Sequence, residues 1–256
     1  MRKLLLILVS TFFVACEGIL NIEIIGDGQP SDPILQRVGQ FTSIDLYDSF
    51  ELEIRSSDKQ EVYIQAESNI VRYVNADVTD GRLFIQRLPN YDLVPRFPIK
   101  IIVTTPVLEE VNIYGNGKLL IDSLETPSLK LNIYSRAKSE LQDVLIDQLQ
   151  LLSNSGGSVA LDGVFRDLSF RQAGSGTSTI TGYSDIARII QEGSGIITAN
   201  DLYANNINVS LFGSGLIYCR GLDGFSVLIN DNGRVYYTGA EPDLIDIKGS
   251  GNLVRF

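Results

Sequence analysis

The residue types that most often perform enzyme chemistry are scarce in this 256-residue chain. It contains no histidine, which removes the commonest general base and metal ligand and every Ser-His or Cys-His nucleophile pair. Its two cysteines are too few for a four-ligand zinc site. We therefore predict no catalytic residue, no metal site and no cofactor. The sequence leaves open a calcium ion on acidic loops such as Asp143/Asp147 or Asp162/Asp167.

The first cysteine carries the one covalent modification that the sequence predicts. Two basic residues, Arg2 and Lys3, precede an apolar run to Ala15, which is the pattern of a secretory signal peptide. The run is shorter than the ~20 residues of a membrane-spanning helix. It ends in Phe13-Val14-Ala15-Cys16, which resembles the lipobox of bacterial lipoproteins, where the cysteine is lipidated and becomes the new N-terminus.

This leader predicts the location of the protein. We expect residues 1–15 to be the signal peptide, Cys16 to carry the lipid, and residues 16–40 to form the anchor and a tether rich in glycine and proline. The protein would then be a lipoprotein of the bacterial cell envelope, in the outer membrane, on either its periplasmic or its outer face. An ordinary secretory signal that ends near Cys16 by chance is the alternative.

The composition of the whole chain indicates its class and limits its partners. Hydrophobic residues make up 44% and charged residues 20%, which is typical of a globular core. The net charge of −10 argues against a nucleic acid or an anionic membrane surface as partner.

A Gly-x-Gly motif recurs along the second half of the chain about every 19 residues, which indicates a solenoid. The residue six places before the second glycine is apolar in every copy, and the neighbouring positions alternate with a period of two, as strands do. We predict two strands per coil with the motif at the bend between them, rather than a phosphate-binding loop, which needs a following helix. The glycines of the five full copies are Gly115, Gly117, Gly174, Gly176, Gly193, Gly195, Gly213, Gly215, Gly249 and Gly251.

The predicted fold class is all-β: a parallel β-helix, or β-solenoid, over residues 107–256, with an N-terminal β cap over residues 41–106. The cap region alternates in short strands and contains the hairpin signal Asp80-Gly81, but it lacks the Gly-x-Gly period. A cap would cover the open sheet edge at the end of the solenoid. Cys219 falls in an inward column, where we expect a buried thiol.

Aromatic residues in outward columns are the best indication of binding. Tyr114, Tyr134 and Phe212 share one column, and Tyr218 and Tyr236 share another. Tyrosine offers flat, amphipathic contact area to proteins and sugars, so these residues form a candidate binding face. Ladder stacking along the sheet, without a ligand, is the alternative.

The order of these features resembles the head GIN domain family, for which an auto-transporter adhesin role has been proposed from architecture. The resemblance covers residues 41–251 and rests on the strands from Phe41 to Ile44 and Phe50 to Ile54, the approach Ile99 to Pro106, and the repeated Gly-Ser-Gly bends. It implies a β-helical envelope domain and carries over no catalytic residue.

The sequence thus favours a non-enzymatic envelope lipoprotein: an adhesin or binding module with a rigid face for an unknown protein or glycan. A periplasmic structural or assembly scaffold is the second reading. A carbohydrate-processing β-helix enzyme is a distant third, because no outward column examined stacks carboxylates in adjacent coils.

Overall fold

Parallel strands stacked in coils make up most of the chain. The computed structural model describes residues 21–154 and 156–256, so Cys16 and the predicted signal peptide lie outside the described residues. Among the described residues, no helix has the length and apolarity to cross a membrane. The elements are β1 (Ile22–Ile25), β2 (Ile34–Gln36), β3 (Ser43–Leu46), β4 (Glu51–Ser56), β5 (Glu61–Gln65), a 3-10 turn (Val71–Tyr73), β6 (Val74–Thr79), β7 (Arg82–Arg87), β8 (Tyr91–Val94), β9 (Lys100–Thr105), β10 (Glu110–Ile113), β11 (Lys118–Asp122), β12 (Glu125–Ile133), β13 (Lys138–Ser153), β14 (Ser158–Ala173), β15 (Thr177–Glu192), β16 (Ile196–Phe212), β17 (Leu216–Gly221), β18 (Gly224–Asn230), β19 (Arg234–Gly239), β20 (Leu244–Lys248) and β21 (Asn252–Arg255).

Each coil pairs in parallel with the next, so equivalent residues form columns along the solenoid. Val111 lies opposite Leu131, which lies opposite Leu151, and Ile121 lies opposite Leu141. These inward columns are buried and form one continuous apolar core. The predicted parallel β-solenoid is confirmed, because period-two alternation repeated at a fixed spacing buries a face only when the coils stack in register.

The turn glycines are required for two different reasons. Gly213 has a φ of 118°, a region that side chains disfavour. Gly117 has an ordinary φ, but a Cβ there would lie 1.8 Å from the carbonyl oxygen of Phe50 in the neighbouring coil. The bends therefore stack too closely for side chains at these positions.

Two buried glutamine side chains, Gln172 and Gln191, form hydrogen bonds inside the solenoid next to the Gly-x-Gly bends. The side-chain amide of Gln172 donates to the carbonyl of Gly176 and to Oε1 of Gln191, each at 2.9 Å. Ser178 donates to the Gln172 carbonyl oxygen. The turn carbonyl thus keeps a hydrogen bond in the interior, where an unpaired one would be costly.

The cap region contains two further parallel coils. β3 pairs in parallel with β10 and β4 with β11, while β7 and β9 pair in parallel with β3 and β4 on the other side. Among the described strands, antiparallel pairing is limited to β6 on β7, β5 on β9 and β2 on β5. The boundary drawn at residue 106 is therefore corrected, since the parallel ladders continue through it and only β2, β5 and β6 end the stack.

The segment 26–40, expected from its sequence to be a tether, is held against the cap. β2 lies within it and pairs with β5. The buried carboxylate of Glu67 accepts hydrogen bonds from the backbone N–H groups of Gly28 and Arg96, both at 2.7 Å. The tether prediction is wrong here, because glycine and proline indicate turns but do not reveal a distant carboxylate that binds the turn.

Candidate binding face

Three tyrosines stack on the outward face of the strands that precede the bends. The ring centroids of Tyr47 and Tyr114 are 4.8 Å apart, and those of Tyr114 and Tyr134 are 5.2 Å apart. Phe84 extends the row, 6.5 Å from Tyr47. The three tyrosines, here called the tyrosine stack, are 42%, 40% and 44% exposed.

The stack presents ring edges and hydroxyls more than ring faces. Its interplanar angles are 10° and 11°, so neighbouring rings cover one another. The column continues from Tyr134 with an asparagine, Asn154, so within the described residues the aromatic row ends at Tyr134. The row therefore offers a ligand ring edges and hydroxyl groups.

A row of amides runs beside the tyrosine stack and ends on a carboxylate. The Asn132 amide donates to Oδ1 of Asn112 at 2.8 Å, and the Asn112 amide donates to Oδ1 of Asp45 at 2.8 Å. All three residues are buried beneath their neighbours. This row fixes the strand face on which the tyrosines stand.

Ion pairs border the amide row on its other side. Arg82 donates to Asp45 and to Glu110, each at 2.6 Å, and Lys130 lies 3.1 Å from Glu110. Burial opposes ionisation of Glu110, but the hydrogen bonds from Arg82 and Lys130 outweigh it and lower its pKa.

The phenols beside this charge cluster stay protonated. Burial raises the pKa of Tyr114 and of Tyr47, and the nearby charge of Asp45 raises both further. The face therefore offers neutral hydroxyl donors next to fixed charges.

The structure brings together only part of the predicted aromatic set. Tyr218 and Tyr236 stack at 5.0 Å in the strands after the bends, and Phe256 meets both edge-on. Phe212 lies several coils from Tyr134. Its neighbours down the column are Glu192 and then Ala173, so no tyrosine of the stack is next to it. Phe212 therefore does not extend the tyrosine stack.

A second exposed aromatic row lies at the other turn of the coil. Leu145, Val164, Tyr183 and Tyr203 occupy successive coils of one column. The two tyrosine rings stack at 5.5 Å, and the Arg220 guanidinium lies 5.1 Å from the Tyr203 ring centroid. All four residues of this row, here called the third-side row, are exposed. Sequence reasoning did not identify this row.

The remaining candidates include a buried thiol and two aspartates in ion pairs. Cys219 is buried, which agrees with the sequence, and burial raises its pKa to about 12. Asp167 binds Arg188 at 2.6 Å, and Asp147 lies 3.8 Å from Arg166. Within the ranges that the structure describes, no three histidine, cysteine or acidic side chains converge as metal ligands would.

Comparison with known proteins gives both a family and a fold. The sequence model of the family described as "Putative auto-transporter adhesin, head GIN domain" matches residues 40–240. No relative among curated proteins matches the chain.

Several solved structures share the architecture. A "Putative lipid binding protein" from Parabacteroides distasonis is 24% identical, with a TM-score of 0.78, over 91% of this chain and 99% of that one. A "putative adhesin" from Parabacteroides merdae is 19% identical, with a TM-score of 0.82, over 92% and 99%. Another "putative adhesin" from Parabacteroides distasonis is 19% identical, with a TM-score of 0.81, over 91% and 100%. At these identities the likeness establishes the shared fold.

Proposed function

We propose, from the premise that this chain belongs to the head GIN domain family, that it is a non-enzymatic binding module of the bacterial cell envelope that acts as an adhesin. The adhesin description of the family supports an envelope or surface location. The lipobox-like sequence supports attachment of the module to the outer membrane through a lipid on Cys16.

The observation that carries the proposal is the tyrosine stack beside its buried amide row. A binding surface needs exposed contact area held in one conformation, since loose side chains lose entropy when a ligand orders them. Here the rings hold one another in place, and the amide row fixes the strand below them. Rigid tyrosines with charged neighbours are typical of surfaces that bind proteins or glycans.

The test compares two matched tyrosine pairs. The chain is applied to a glycan array and to immobilised extracellular-matrix proteins, with Tyr114→Ser/Tyr134→Ser as the variant and Tyr183→Ser/Tyr203→Ser as the control. We expect saturable binding that the first pair weakens about tenfold or more and the second leaves unchanged. Equal binding by both variants, or no saturable binding by the unchanged chain, would contradict the proposal.

The third-side row favours a second candidate, a periplasmic scaffold. Its exposed apolar and aromatic residues line an open groove with Asp147, Arg166 and Asp185. Apolar rows with a charged rim are typical of protein-protein contacts. A fixed partner crosslinked in cells through Tyr183, and lost in Tyr183→Ser/Tyr203→Ser, would favour this candidate over the adhesin.

A further inference from the structure

We propose that an apolar patch on the cap rests in the interface of a zwitterionic lipid bilayer, next to the lipid on Cys16. The inference rests on the proposed lipidation of Cys16 and adds a second contact with the same membrane. The patch consists of Ile25, Val94 and Phe97, which are 56%, 45% and 48% exposed.

The two-stranded sheet of β1 and β8 displays the first two residues of the patch. β1 and β8 pair in parallel, with Ile24 opposite Leu93 and Ile25 opposite Val94. Ile24 and Leu93 pack against the core. Because side chains alternate along a strand, Ile25 and Val94 point away from the core side by side.

Hydrogen bonds hold the segments that carry the patch. The Gly26 N–H donates to the Val94 carbonyl at 3.0 Å, and the Asn69 amide donates to the Ile25 carbonyl at 2.7 Å. The buried Glu67 carboxylate binds the N–H groups of Gly28 and Arg96, which draws Phe97 toward the same segment. Phe97 lines a shallow groove with Pro30 and Pro98. The patch is thus a small apolar surface on hydrogen-bonded segments, with Glu23 and Asp92 at its edge.

The position of the anchor identifies what covers the patch. Ile22, where β1 begins, is only six positions after Cys16, and a chain of that length spans at most ~20 Å. The cap therefore cannot move far from the membrane that holds the lipid. A tether of the length expected from the sequence would have reached several times farther.

Charges of both signs border the patch, with Arg96 and Lys100 near Phe97 and carboxylates near Val94, and such a border suits a zwitterionic surface. Asp92 lies two residues before Val94 and is paired with Arg87 at 3.3 Å, while Glu23 lies opposite Asp92. These carboxylates and the net charge of −10 disfavour anionic lipids. Branched and aromatic side chains beside the lipid anchor add apolar contact with the same membrane.

The test uses tryptophan, which the chain lacks, as a reporter of lipid contact. The chain of residues 16–256 with Cys219→Ala has Cys16 as its only thiol, which is coupled to a maleimide lipid in phosphatidylcholine vesicles. The reporter is Phe97→Trp, and the matched control is Leu244→Trp in β20, where the side chain is 64% exposed. Lipids brominated on their acyl chains quench tryptophan that enters the interface.

We expect brominated vesicles to quench most of the emission of Trp introduced at position 97 and to leave that at position 244 unchanged. Adding Ile25→Ser and Val94→Ser, with an unchanged circular dichroism spectrum, should restore the emission at position 97. No quenching at position 97, or equal quenching at both positions, would overturn the proposal. Chemical coupling bypasses lipidation in cells, so this failure is distinct from that of the anchor, which mass spectrometry of Cys16 in cells tests separately.

Discussion

At the scale of single residues, burial and ion pairs limit the reactivity of the thiol and the carboxylates. The buried thiol is the clearest case, because Cys219 lies in an inward column and its sulfur is 3.7 Å from the Tyr236 carbonyl. The acidic side chains near the tyrosine stack are likewise engaged, with Glu110 and Asp45 both bound to Arg82. The phenol edges of the tyrosine stack remain exposed on this face, which suits the proposed binding role.

The burial of Cys219 predicts its reactivity. In a Cys16→Ala chain it is the only thiol, and at pH 8 we expect a chromogenic disulfide reagent to react with it only after unfolding in urea. The unfolded thiol ionises near pH 9.0 and the folded one near 12. Stability should therefore fall as the pH rises from 9 toward 12, by more than in Cys219→Ala. Equal reaction rates in the folded and unfolded chain would show that the thiol is accessible.

At the scale of the element, the stacked bend decides whether a coil fits on its neighbour. Gly117 and Gly81 separate two effects, since Gly117 is crowded by the Phe50 carbonyl and Gly81 has a φ of 73° with open space around it.

We expect Gly81→Ala to cost about 1–2 kcal/mol through backbone strain alone. Gly117→Ala should cost about 3 kcal/mol or more, because the neighbouring coil must move. The unfolding midpoints in urea measure both values. Equal destabilisation would show that close stacking at the bend does not limit the coil.

The elements also show what the sequence could reveal. Consecutive coils of about 19 residues leave a visible period, so the solenoid and its inward columns were predictable. The coil of β3 and β4 has Asp48-Ser49-Phe50 in place of the Gly-x-Gly motif, and the coil of β7 and β9 is interrupted by residues 88–99. A search for repeats at equal spacing therefore detects neither of these two coils.

The candidate face was incomplete for the same reason. Tyr114 and Tyr134 were predictable from their column, whereas Tyr47 and Phe84 belong to the coils that lack the motif. Phe212 belongs to the same column but lies far from the stack. Membership of a column shows which way a side chain points, and it does not show how far along the solenoid axis the residue lies.

At the scale of the whole molecule, the tyrosine stack and the proposed lipid anchor lie toward the same, N-terminal end of the solenoid. The tyrosines of the stack directly follow β3, β10 and β12, at the N-terminal end of the solenoid, and β1 at that end begins within ~20 Å of the proposed anchor. A ligand of the tyrosine stack must therefore approach the membrane closely, and it can do so from outside only if the module stands on the outer face.

Labelling of intact cells tests this central claim most directly. Ser214 lies in an exposed bend, Cys219 is buried, and Cys16 would be lipidated, so Ser214→Cys supplies the one accessible thiol in the described residues. A maleimide on a polyethylene glycol too large to cross the outer membrane should label this variant on intact cells, with a periplasmic thiol marker left unlabelled. Labelling that requires disruption of the outer membrane would contradict the adhesin account.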